Sequence, residues 1–307
     1  MQHSSHILMI KPVQFDFNSQ TAVNNSFQSS SPGSEKQSRA LSEFNQFVAV
    51  LENKGIDVTV VEDTAEPHTP DSVFPNNWIS FHADGRIVLY PMFAENRRLE
   101  RKQHVLDAIQ QKFLIRQTIN LTHFEKEGLF LEGTGSMVLD REHRIAYTCL
   151  SPRTMKEPLA VFCAEMGYRS VSFTAVDENG APIYHTNVMM CVADEYVIIC
   201  LDCLPNETEK QTLINSFHET GKEIIPISYD QVNQFAGNML QVHNPGGEKW
   251  LVMSSQAYHS LTAGQLTLIE KYNPILHSDI KTIETNGGGS ARCMMAEIFL
   301  PEKTKRH

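Results

Sequence analysis

The feature that most constrains the fold of this chain is a β-hairpin pattern that returns at nearly equal intervals. Four segments consist of a β-rich run, a polar turn and a second β-rich run, at residues 78–90, 137–149, 188–200 and 239–253. Their starting points lie 59, 51 and 51 residues apart. One further step of this size reaches the region near residue 290, where residues 295–300 form another apolar run. A repeat of roughly 50 residues is typical of an array or a closed ring.

Helical patterns and single strands complete each repeat. The periodicity predicts helices at 38–53, 94–113, 155–166, 207–218 and 257–272, and short strands at 57–61, 114–119, 170–173, 223–227 and 280–283. Five such units close most simply around an axis, because closure removes exposed sheet edges. We therefore predict an α/β fold, a five-bladed pseudosymmetric α/β propeller of repeated ββαβ modules. It would form a single domain over residues 1–307.

Two segments do not follow the repeat. The Ser- and Asn-rich stretch at residues 18–37 is long for a connection inside a compact domain, and such loops are usually either lids or mobile. We predict a lid, with a mobile loop as the alternative. Residues 301–307 are expected to form a tail.

Composition excludes several classes of function. The 307 residues carry a net charge of -10, which argues against a nucleic-acid partner. The sequence lacks an apolar run of the ~18 residues that a membrane span needs, and its first residues lack the pattern of a secretion signal. Six cysteines are too few for a disulfide scaffold, and Cys200-x-x-Cys203 has no second pair at zinc spacing. We predict a cytoplasmic protein with reduced thiols, no metal and no membrane partner.

Chemically reactive residues occupy one equivalent position in the repeat, the loop that enters each hairpin. Four of the five loops carry an ionisable group there: Asp71, Glu132, His185 and Cys293. In a closed ring these loops meet at the axis, so the four side chains are expected in one pocket. The glycines at 287–289 permit a tight turn before Cys293, and Arg292 beside it favours the thiolate.

A thiolate near a histidine is the arrangement of covalent catalysis at an electrophilic carbon, and facing carboxylates suit a planar cationic or amide-rich substrate. Each residue taken alone has a plainer explanation. Asp71 fits a turn cap, Glu132 a surface carboxylate, His185 a hydrogen-bonded interior histidine and Cys293 a buried hydrophobe. The chain has no P-loop, dinucleotide fingerprint or HExxH motif, so no cofactor is expected.

The combined motifs resemble the guanidine-modifying enzymes: arginine deiminases, dimethylarginine hydrolases, agmatine deiminases and amidinotransferases. Within this group the chain is most similar to bacterial hydrolases of citrulline utilisation. The resemblance extends from about residue 7 to residue 300. It rests on Asp71-x-x-Phe74, Leu131-Glu132-Gly133, His185 and Gly288-Gly289-x-x-Arg292-Cys293-Met294.

This resemblance implies a fold and a set of roles. The family fold is a five-bladed α/β propeller, which agrees with the repeat. Cys293 would attack a guanidino or ureido carbon and form a covalent intermediate, His185 would move the protons, and Glu132 with Asp71 would orient the nitrogens. Arg153 matches an arginine that holds the substrate carboxylate. Arg97 is a further candidate, with a solvated helix face as the alternative.

Two positions depart from the family pattern. Arginine-acting members usually have an aspartate where this chain has Asn77, and deiminases often have His-x-Asp where it has His185-Thr186-Asn187. A full positive charge is better matched by carboxylates, whereas a neutral ureido group accepts amides. We expect a small amino-acid substrate less cationic than arginine at its reacting end, such as citrulline or a substituted arginine. An amidinotransferase, a non-catalytic propeller scaffold and a homo-oligomer remain open.

Overall fold

The computed structural model describes residues 1–29 and 35–303. Residues 30–34 of the predicted lid and residues 304–307 of the predicted tail lie outside the described residues. The strands are β1 (His6–Lys11), β2 (Asp57–Glu62), β3 (Ile79–Phe81), β4 (Arg86–Leu89), β5 (Gln117–Asn120), β6 (Met137–Asp140), β7 (Ile145–Cys149), β8 (Arg169–Phe173), β9 (Met190–Val192), β10 (Tyr196–Ile199), β11 (Glu223–Pro226), β12 (Leu240–His243), β13 (Lys249–Ser254), β14 (Ile275–Ser278) and β15 (Ala296–Glu297).

Helices lie between these strands. They are α1 (Ser19–Ala22), α2 (Lys36–Glu52), α3 (Glu95–Arg98), α4 (Gln103–Lys112), α5 (Gly133–Ser136), α6 (Lys156–Met166), α7 (Thr186–Met189), α8 (Glu207–Glu219), α9 (Tyr229–Asn233), α10 (Ser255–Ser260), α11 (Ala263–Glu270) and α12 (Lys281–Gly287), with 3-10 turns at Pro75–Asn77, Thr122–Glu127 and Leu201–Cys203. None of the helices in the described ranges is both long and apolar enough to cross a membrane.

The strands form five three-stranded sheets with one common design, which confirms the predicted α/β fold of five modules. In four sheets a hairpin pairs antiparallel and a third strand joins it in parallel, as in β3-β4-β5, β6-β7-β8, β9-β10-β11 and β12-β13-β14. The parallel strand always follows a helical crossover, because a tight turn can join only antiparallel strands. The predicted ββαβ module is therefore present in each of these sheets.

The fifth sheet is assembled from the two ends of the chain. Its order is β15-β1-β2, where β15 runs antiparallel to β1 and β2 runs parallel to it. The apolar run at 295–300 and the helix and strand near residues 38–61 were predicted from the sequence, whereas β1 was not. First strands of neighbouring sheets contact one another, β15 with β3, β6 with β9 and β9 with β12. The first strand of each module thus lies on the inside of the ring.

Three of the predicted elements were wrong in detail. The segment 280–283 is the start of α12 and not a strand, because Ile280 and Ile283 are both buried three residues apart, on one helical face. The parallel strand of that module is β14, directly after Pro274. The predicted helix at 257–272 is two helices, since Thr262 and Gln265 form a capping box that starts α11.

The predicted helix at 94–113 is likewise divided into α3 and α4. Residues 99–102 separate the two helices, and Lys102 is the N-cap residue of α4. Its side chain is buried and donates to Asp63 at 2.5 Å. The break also lets Arg97 on α3 face the centre of the ring while α4 lies outside the sheet.

Each long helix covers the outer part of its own sheet. In α2 the buried residues Ala40, Phe44, Phe47 and Leu51 recur every three to four positions and form one apolar stripe. They pack in one cluster with Ile7 of β1 and with other apolar residues of the fifth sheet. Burying a side chain of the size of Phe or Leu contributes about 1.5–3 kcal/mol. This packing holds the helices outside, so the loops that enter the hairpins point to the centre.

Candidate active site

The loops that enter the hairpins converge on one cavity, as the repeat predicted. The entering loops of the first, third and fifth modules line it directly, together with the predicted lid and neighbouring residues: Thr21, Asn25, Asp71, Phe74, Asn77, Arg97, Arg153, Tyr184, His185, Gly287, Gly288, Gly289 and Cys293. The loops of the second and fourth modules contribute through hydrogen bonds to this lining, from Glu132 to His185 and from Asn238 to Cys293. Three of the entering loops contain a short helical turn, Pro75–Asn77, α5 or α7. Glu132 and His185 are the N-cap residues of α5 and α7. Equivalent backbone positions therefore bring these side chains together.

Glu132 and His185 form a buried hydrogen-bonded pair. His185 Nε2 lies 2.7 Å from Glu132 Oε2, and the two residues are 3 % and 0 % exposed. Burial lowers the pKa of His185 to about 4, although the hydrogen bond to Glu132 acts in the opposite direction. Burial also opposes ionisation of Glu132, but the Arg153 charge and the His185 hydrogen bond outweigh it and lower the pKa of Glu132 to about 2.

These protonation states fix the tautomer of the imidazole. An ionised carboxylate only accepts hydrogen bonds, so Nε2 of the neutral His185 ring carries the proton. Nδ1 is then an unprotonated acceptor on the other side of the ring. The second oxygen of Glu132 accepts from Phe93 N at 2.9 Å, which holds the carboxylate in place. His185 is thereby oriented as a base whose far side is stabilised by a fixed negative charge.

The Cys293 sulfur receives hydrogen bonds from two amide side chains. Asn187 Nδ2 donates to Sγ at 3.4 Å and Asn238 Nδ2 donates at 3.3 Å. Asn238 is itself fixed, because its Oδ1 accepts from Arg292 N at 3.1 Å and its Nδ2 also donates to Asn187 O at 2.9 Å. Two fixed donors favour a negatively charged sulfur.

Arg292, the cation next to Cys293 in the sequence, does not hydrogen-bond to the sulfur. Its guanidinium donates to Met295 O at 2.9 Å and lies 3.4 Å from Glu297 Oε2. It lines a small cavity together with Glu297 and Cys191, outside the lining of the Cys293 cavity. Burial lowers the pKa of Arg292, whereas Cys293 acts to raise it, so the two groups interact through their charges without a hydrogen bond, and the prediction that Arg292 favours the thiolate stays a prediction. In the described part of the chain the polar side chains hydrogen-bonded to Sγ are the two amides.

Glycines let the aromatic and polar walls of the cavity approach the backbone. A Cβ on Gly287 or Gly289 would lie 2.7 or 2.9 Å from the Phe74 ring, so only glycine admits that ring against the turn before Cys293. A Cβ on Gly135 would lie 2.3 Å from Asn77 Nδ2 and 2.8 Å from His185 Nδ1. Because Gly135 has no side chain, Asn77 and His185 both lie directly over its backbone.

Arg97 is buried and orients Asn77. It donates from Nη1 to Asn77 Oδ1 at 2.8 Å, and from Nε and Nη2 to the Glu100 carboxylate at 2.8 and 3.0 Å. Its Nη2 also lies 3.2 Å from Phe74 O. The alternative of a solvated helix face was wrong, since Arg97 is 3 % exposed. With Oδ1 committed to Arg97, the Nδ2 group of Asn77 has no partner among the described residues and is the part that faces the Gly135 side.

Asp71 connects the cavity wall to the predicted lid. Its Oδ2 accepts from Asn18 Nδ2 at 2.7 Å and from Thr21 Oγ1 at 3.1 Å, and Arg97 Nε lies 3.8 Å away. Burial raises the pKa of Asp71, with Arg97 acting against it. Further along the lid, Gln28 Nε2 donates to Asn286 O at 2.8 Å. Residues 18–29 therefore lie across the cavity and are hydrogen-bonded to both sides of it.

Arg153 lies under the same segment. It donates from Nε to Asn24 Oδ1 at 2.8 Å and from Nη2 to Thr21 O at 2.7 Å. Its guanidinium stacks on the Tyr184 ring with 4.9 Å between Cζ and the ring centroid, and Nη1 lies 3.6 Å from Glu132 Oε2. Arg153 thus has a hydrogen-bonding face that is occupied by the lid.

Every site residue named from the sequence reaches this region, directly or through a hydrogen bond to it. Sequence reasoning missed Asn238, whose loop it described as lacking an ionisable group. A signal was nevertheless present, because Asn238 lies in the loop that enters the fourth hairpin, the loop that carries Asp71, Glu132, His185 and Cys293 in the other modules. It also missed Tyr184, whose hydroxyl donates to Gly288 O at 2.8 Å. In residues 1–29 and 35–303 no three His, Cys, Asp or Glu side chains are grouped to hold a metal.

Comparison with known proteins agrees with this arrangement. A profile of the eukaryotic N,N dimethylarginine dimethylhydrolases matches residues 11–300. The chain therefore belongs to the dimethylarginine dimethylhydrolase family, and the predicted membership of the guanidine-modifying enzymes is confirmed. A comparison with curated proteins found no match.

Solved structures of the same fold include two informative neighbours. One is the apo form of ArgZ, an arginine dihydrolase from the ornithine-ammonia cycle in Cyanobacteria, with a TM-score of 0.76 and 17% identity over 98% of this chain. This chain spans 42% of the length of that ArgZ chain. The other is a cysteine-to-serine variant of DDAH from Pseudomonas aeruginosa complexed with citrulline. Its TM-score is 0.68 at 15% identity, with 96% of this chain and 99% of that chain covered.

Proposed function

We propose that this chain is a single-domain hydrolase of an amino-acid substrate and that Cys293 attacks the guanidino or ureido carbon at the end of the side chain. The observation that carries this proposal is the joint geometry at the axis. A sulfur with two amide donors and a neutral histidine backed by an ionised carboxylate line one buried cavity. The family supports the class of reaction, since ArgZ is described as an arginine dihydrolase and the Pseudomonas DDAH structure holds citrulline.

The proposed reaction with a ureido substrate has two covalent steps. His185 Nδ1 takes the thiol proton, Sγ of Cys293 bonds to the ureido carbon, and one C–N bond breaks as the departing nitrogen receives that proton. Water then attacks the thiocarbamate carbon and gives a proton to His185, and the C–S bond breaks to restore the thiol. A carbamate product decomposes to amine and carbon dioxide, so one urea group and one water yield amine, ammonia and carbon dioxide. Glu132 stabilises the imidazolium that forms transiently in each step.

Asn77 supports a substrate with an acceptor at its reacting end. Because Arg97 holds Oδ1, the amide offers only N–H donors from Nδ2 toward the His185 side of the cavity. A guanidinium has only N–H donors and would place donor against donor, whereas a ureido oxygen would accept. We therefore propose citrulline-like substrates in preference to arginine. Asn187 does not discriminate in this way, since its Nδ2 faces the sulfur and its Oδ1, without a partner among the described residues, could accept an N–H of either substrate.

The amino-acid end of the substrate is assigned to Arg153. A carboxylate could form a bidentate pair with its guanidinium if it replaced Thr21 O and the Asn24 side chain. The cavity beneath the lid has a volume of about 20 Å³, little more than one water-sized sphere. Substrate entry therefore requires residues 18–29 to move, which supports the proposed lid.

A substrate panel tests this function. Purified protein is offered citrulline, arginine, dimethylarginine and agmatine, and ammonia, amine and amino-acid products are quantified. We expect the highest turnover with citrulline or a substituted arginine, and none from Cys293→Ser. Fast deimination of arginine with little else would refute the proposed preference.

A matched variant tests the role of the amide itself. Asn77→Asp keeps the size and the acceptor for Arg97 but replaces the donor with a carboxylate oxygen. We expect the ratio of citrulline to arginine turnover to fall by about tenfold or more, as for the loss of one discriminating hydrogen bond. An unchanged ratio would show that Asn77 does not read the substrate.

The alternatives are separated in the same assays. Transfer of an amidino group from arginine to glycine would identify an amidinotransferase. Labelling of Cys293 by a chloroacetamidine reagent at neutral pH that is lost in His185→Ala would distinguish an enzyme from a non-catalytic scaffold. Cytoplasmic location and a homo-oligomer stay predictions.

A further inference from the structure

A second cavity lies at the opposite ends of the strands from Cys293. Its volume is about 340 Å³, in the range of pockets for small molecules. It lies between the hairpin turn of the first sheet, with His82 and Asp84, and that of the second, with Arg141 and Arg144. Tyr168, Phe299, Ala83 and Met1 complete the lining, with two aromatic rings among them. Because each hairpin starts at the active site and turns at its far end, this cavity is distinct from the Cys293 site.

The charged groups at this cavity are mostly cationic. The Arg141 side chain is 8% exposed and its Cζ lies 4.1 Å from the Phe299 ring centroid. Arg144 Nη1 donates to Met166 O at 3.1 Å, and its Cζ lies 5.6 Å from the Tyr168 ring centroid. These contacts orient both guanidinium groups without neutralising them. In a chain of net charge -10, two adjacent cations on one cavity wall are a local exception.

The nearby carboxylates do not balance these cations. Asp84 is bound by Arg86, with Nε at 2.8 Å and Nη2 at 2.6 Å. Burial lowers the pKa of His82, so that ring is neutral. Glu297 Oε2 is shared between Arg141 Nη2 at 3.5 Å and Arg292 Nη2 at 3.4 Å. The largely buried guanidinium groups of Arg141 and Arg292 thus share one carboxylate oxygen, at distances longer than those of a strong ion pair. A buried cation without full compensation favours an anion beside it.

Arg144 gives an independent indication. Its φ angle is 55°, in the left-handed region that favours glycine. Glycine or asparagine would suit this turn better, and strained residues of this type often occur at functional sites. Here the strained residue is one of the two arginines at the cavity.

We propose that this cavity is a second binding site, for a small molecule that carries carboxylate or phosphate oxygens. The two guanidinium groups would bind the oxyanion and the aromatic wall would contact the rest of the molecule. Binding in this cavity would also change the surroundings of Cys293 in the active site. An oxyanion that engages Arg141 leaves Glu297 to Arg292, whose chain neighbour is Cys293.

Titration calorimetry on the full chain in low-salt buffer tests the site, with citrate and inorganic phosphate as probes. We expect saturable binding of at least one probe, weakened about tenfold or more in Arg144→Gly and in Arg141→Gln. Arg144→Gly relieves the backbone strain, so its thermal stability should not fall. Arg169→Gln is the matched control, since Arg169 is 51% exposed in a surface pair and should leave binding unchanged. Absence of binding, or binding as tight as that of the native chain in both cavity variants, would overturn the site.

The effect of probe binding on Cys293 can be measured without an enzyme assay. Mass spectrometry follows the rate at which iodoacetamide labels Cys293, with and without a saturating probe. We expect a change of about threefold or more in the native protein and none in Arg141→Gln. An equal labelling rate despite bound probe would refute the coupling. Neither measurement depends on the proposed substrate, so failure here and failure of the proposed function remain distinguishable.

Discussion

Replacement of Asn238 by alanine tests the arrangement around the nucleophile most directly. Asn238 is 1 % exposed, donates to Cys293 Sγ at 3.3 Å and accepts from Arg292 N at 3.1 Å. Its removal takes away one of the two amide donors at the sulfur and leaves Asn187 as the other. Water does not easily replace it, because the position is buried.

The magnitude follows from the charge on the sulfur. A hydrogen bond to a charged group contributes about 1.5–3 kcal/mol, and ~1.4 kcal/mol corresponds to a factor of ten. We therefore expect Cys293 to react about ten- to a hundredfold more slowly at neutral pH in Asn238→Ala. Stability should fall by about 1–3 kcal/mol, because Arg292 N loses its acceptor.

The assay is the rate of Cys293 alkylation by iodoacetamide as a function of pH, quantified by mass spectrometry. Asn238→Asp retains the acceptor for Arg292 N but adds a negative charge, so it should slow alkylation more than alanine does. Asn206→Ala is the matched control, since Asn206 caps α8 by accepting from Thr208 N at 3.0 Å and its loss also costs about 1 kcal/mol of stability. Native alkylation kinetics in Asn238→Ala would refute the idea that the amides stabilise the thiolate.

Three further outcomes are expected. Gly135→Ala should lower turnover by about a hundredfold, because its Cβ would lie 2.8 Å from His185 Nδ1 and small displacements of reacting groups reduce the rate by about that factor. Gly264→Ala, with open space around it, is the control and should leave activity unchanged. His185 takes up a proton near pH 6.5 in the unfolded chain and near pH 4 in the folded chain. The free energy of unfolding, measured in urea titrations, should therefore decrease by about 3 kcal/mol as the pH falls from the first value to the second. His185→Gln should reduce this decrease. A pH-independent stability over that range would contradict the buried neutral imidazole. Lys222→Met should destabilise by about 3–5 kcal/mol in denaturant unfolding, because it removes the buried cation 3.3 Å from the Asp140 carboxylate and leaves His143 as the hydrogen-bond partner of that carboxylate. A loss below about 1 kcal/mol would contradict this.

The repeat made the ring predictable from sequence. Hairpins, crossover helices and parallel strands are local patterns of alternation and helical period, and four hairpins at similar spacing with one further step to the apolar run at 295–300 identify five modules. The equivalent loop positions then named Asp71, Glu132, His185 and Cys293 as neighbours, because pseudosymmetry turns equal positions in sequence into proximity at the axis. Local patterns failed where long-range pairing decides, as for β1, which pairs with β15 from the other end of the chain.

Side-chain direction was decided by tertiary contacts alone. Sequence could say that an amide stands at position 77, but its donor end faces the cavity only because Arg97, twenty residues away, holds its oxygen. Sequence placed a cation next to Cys293, yet Glu297 and Met295 draw the Arg292 guanidinium away from the sulfur. The repeat period fixes where a backbone lies, whereas a hydrogen bond depends on where the last few atoms of a side chain point. Those atoms are positioned by partners distant in sequence, which no local pattern records.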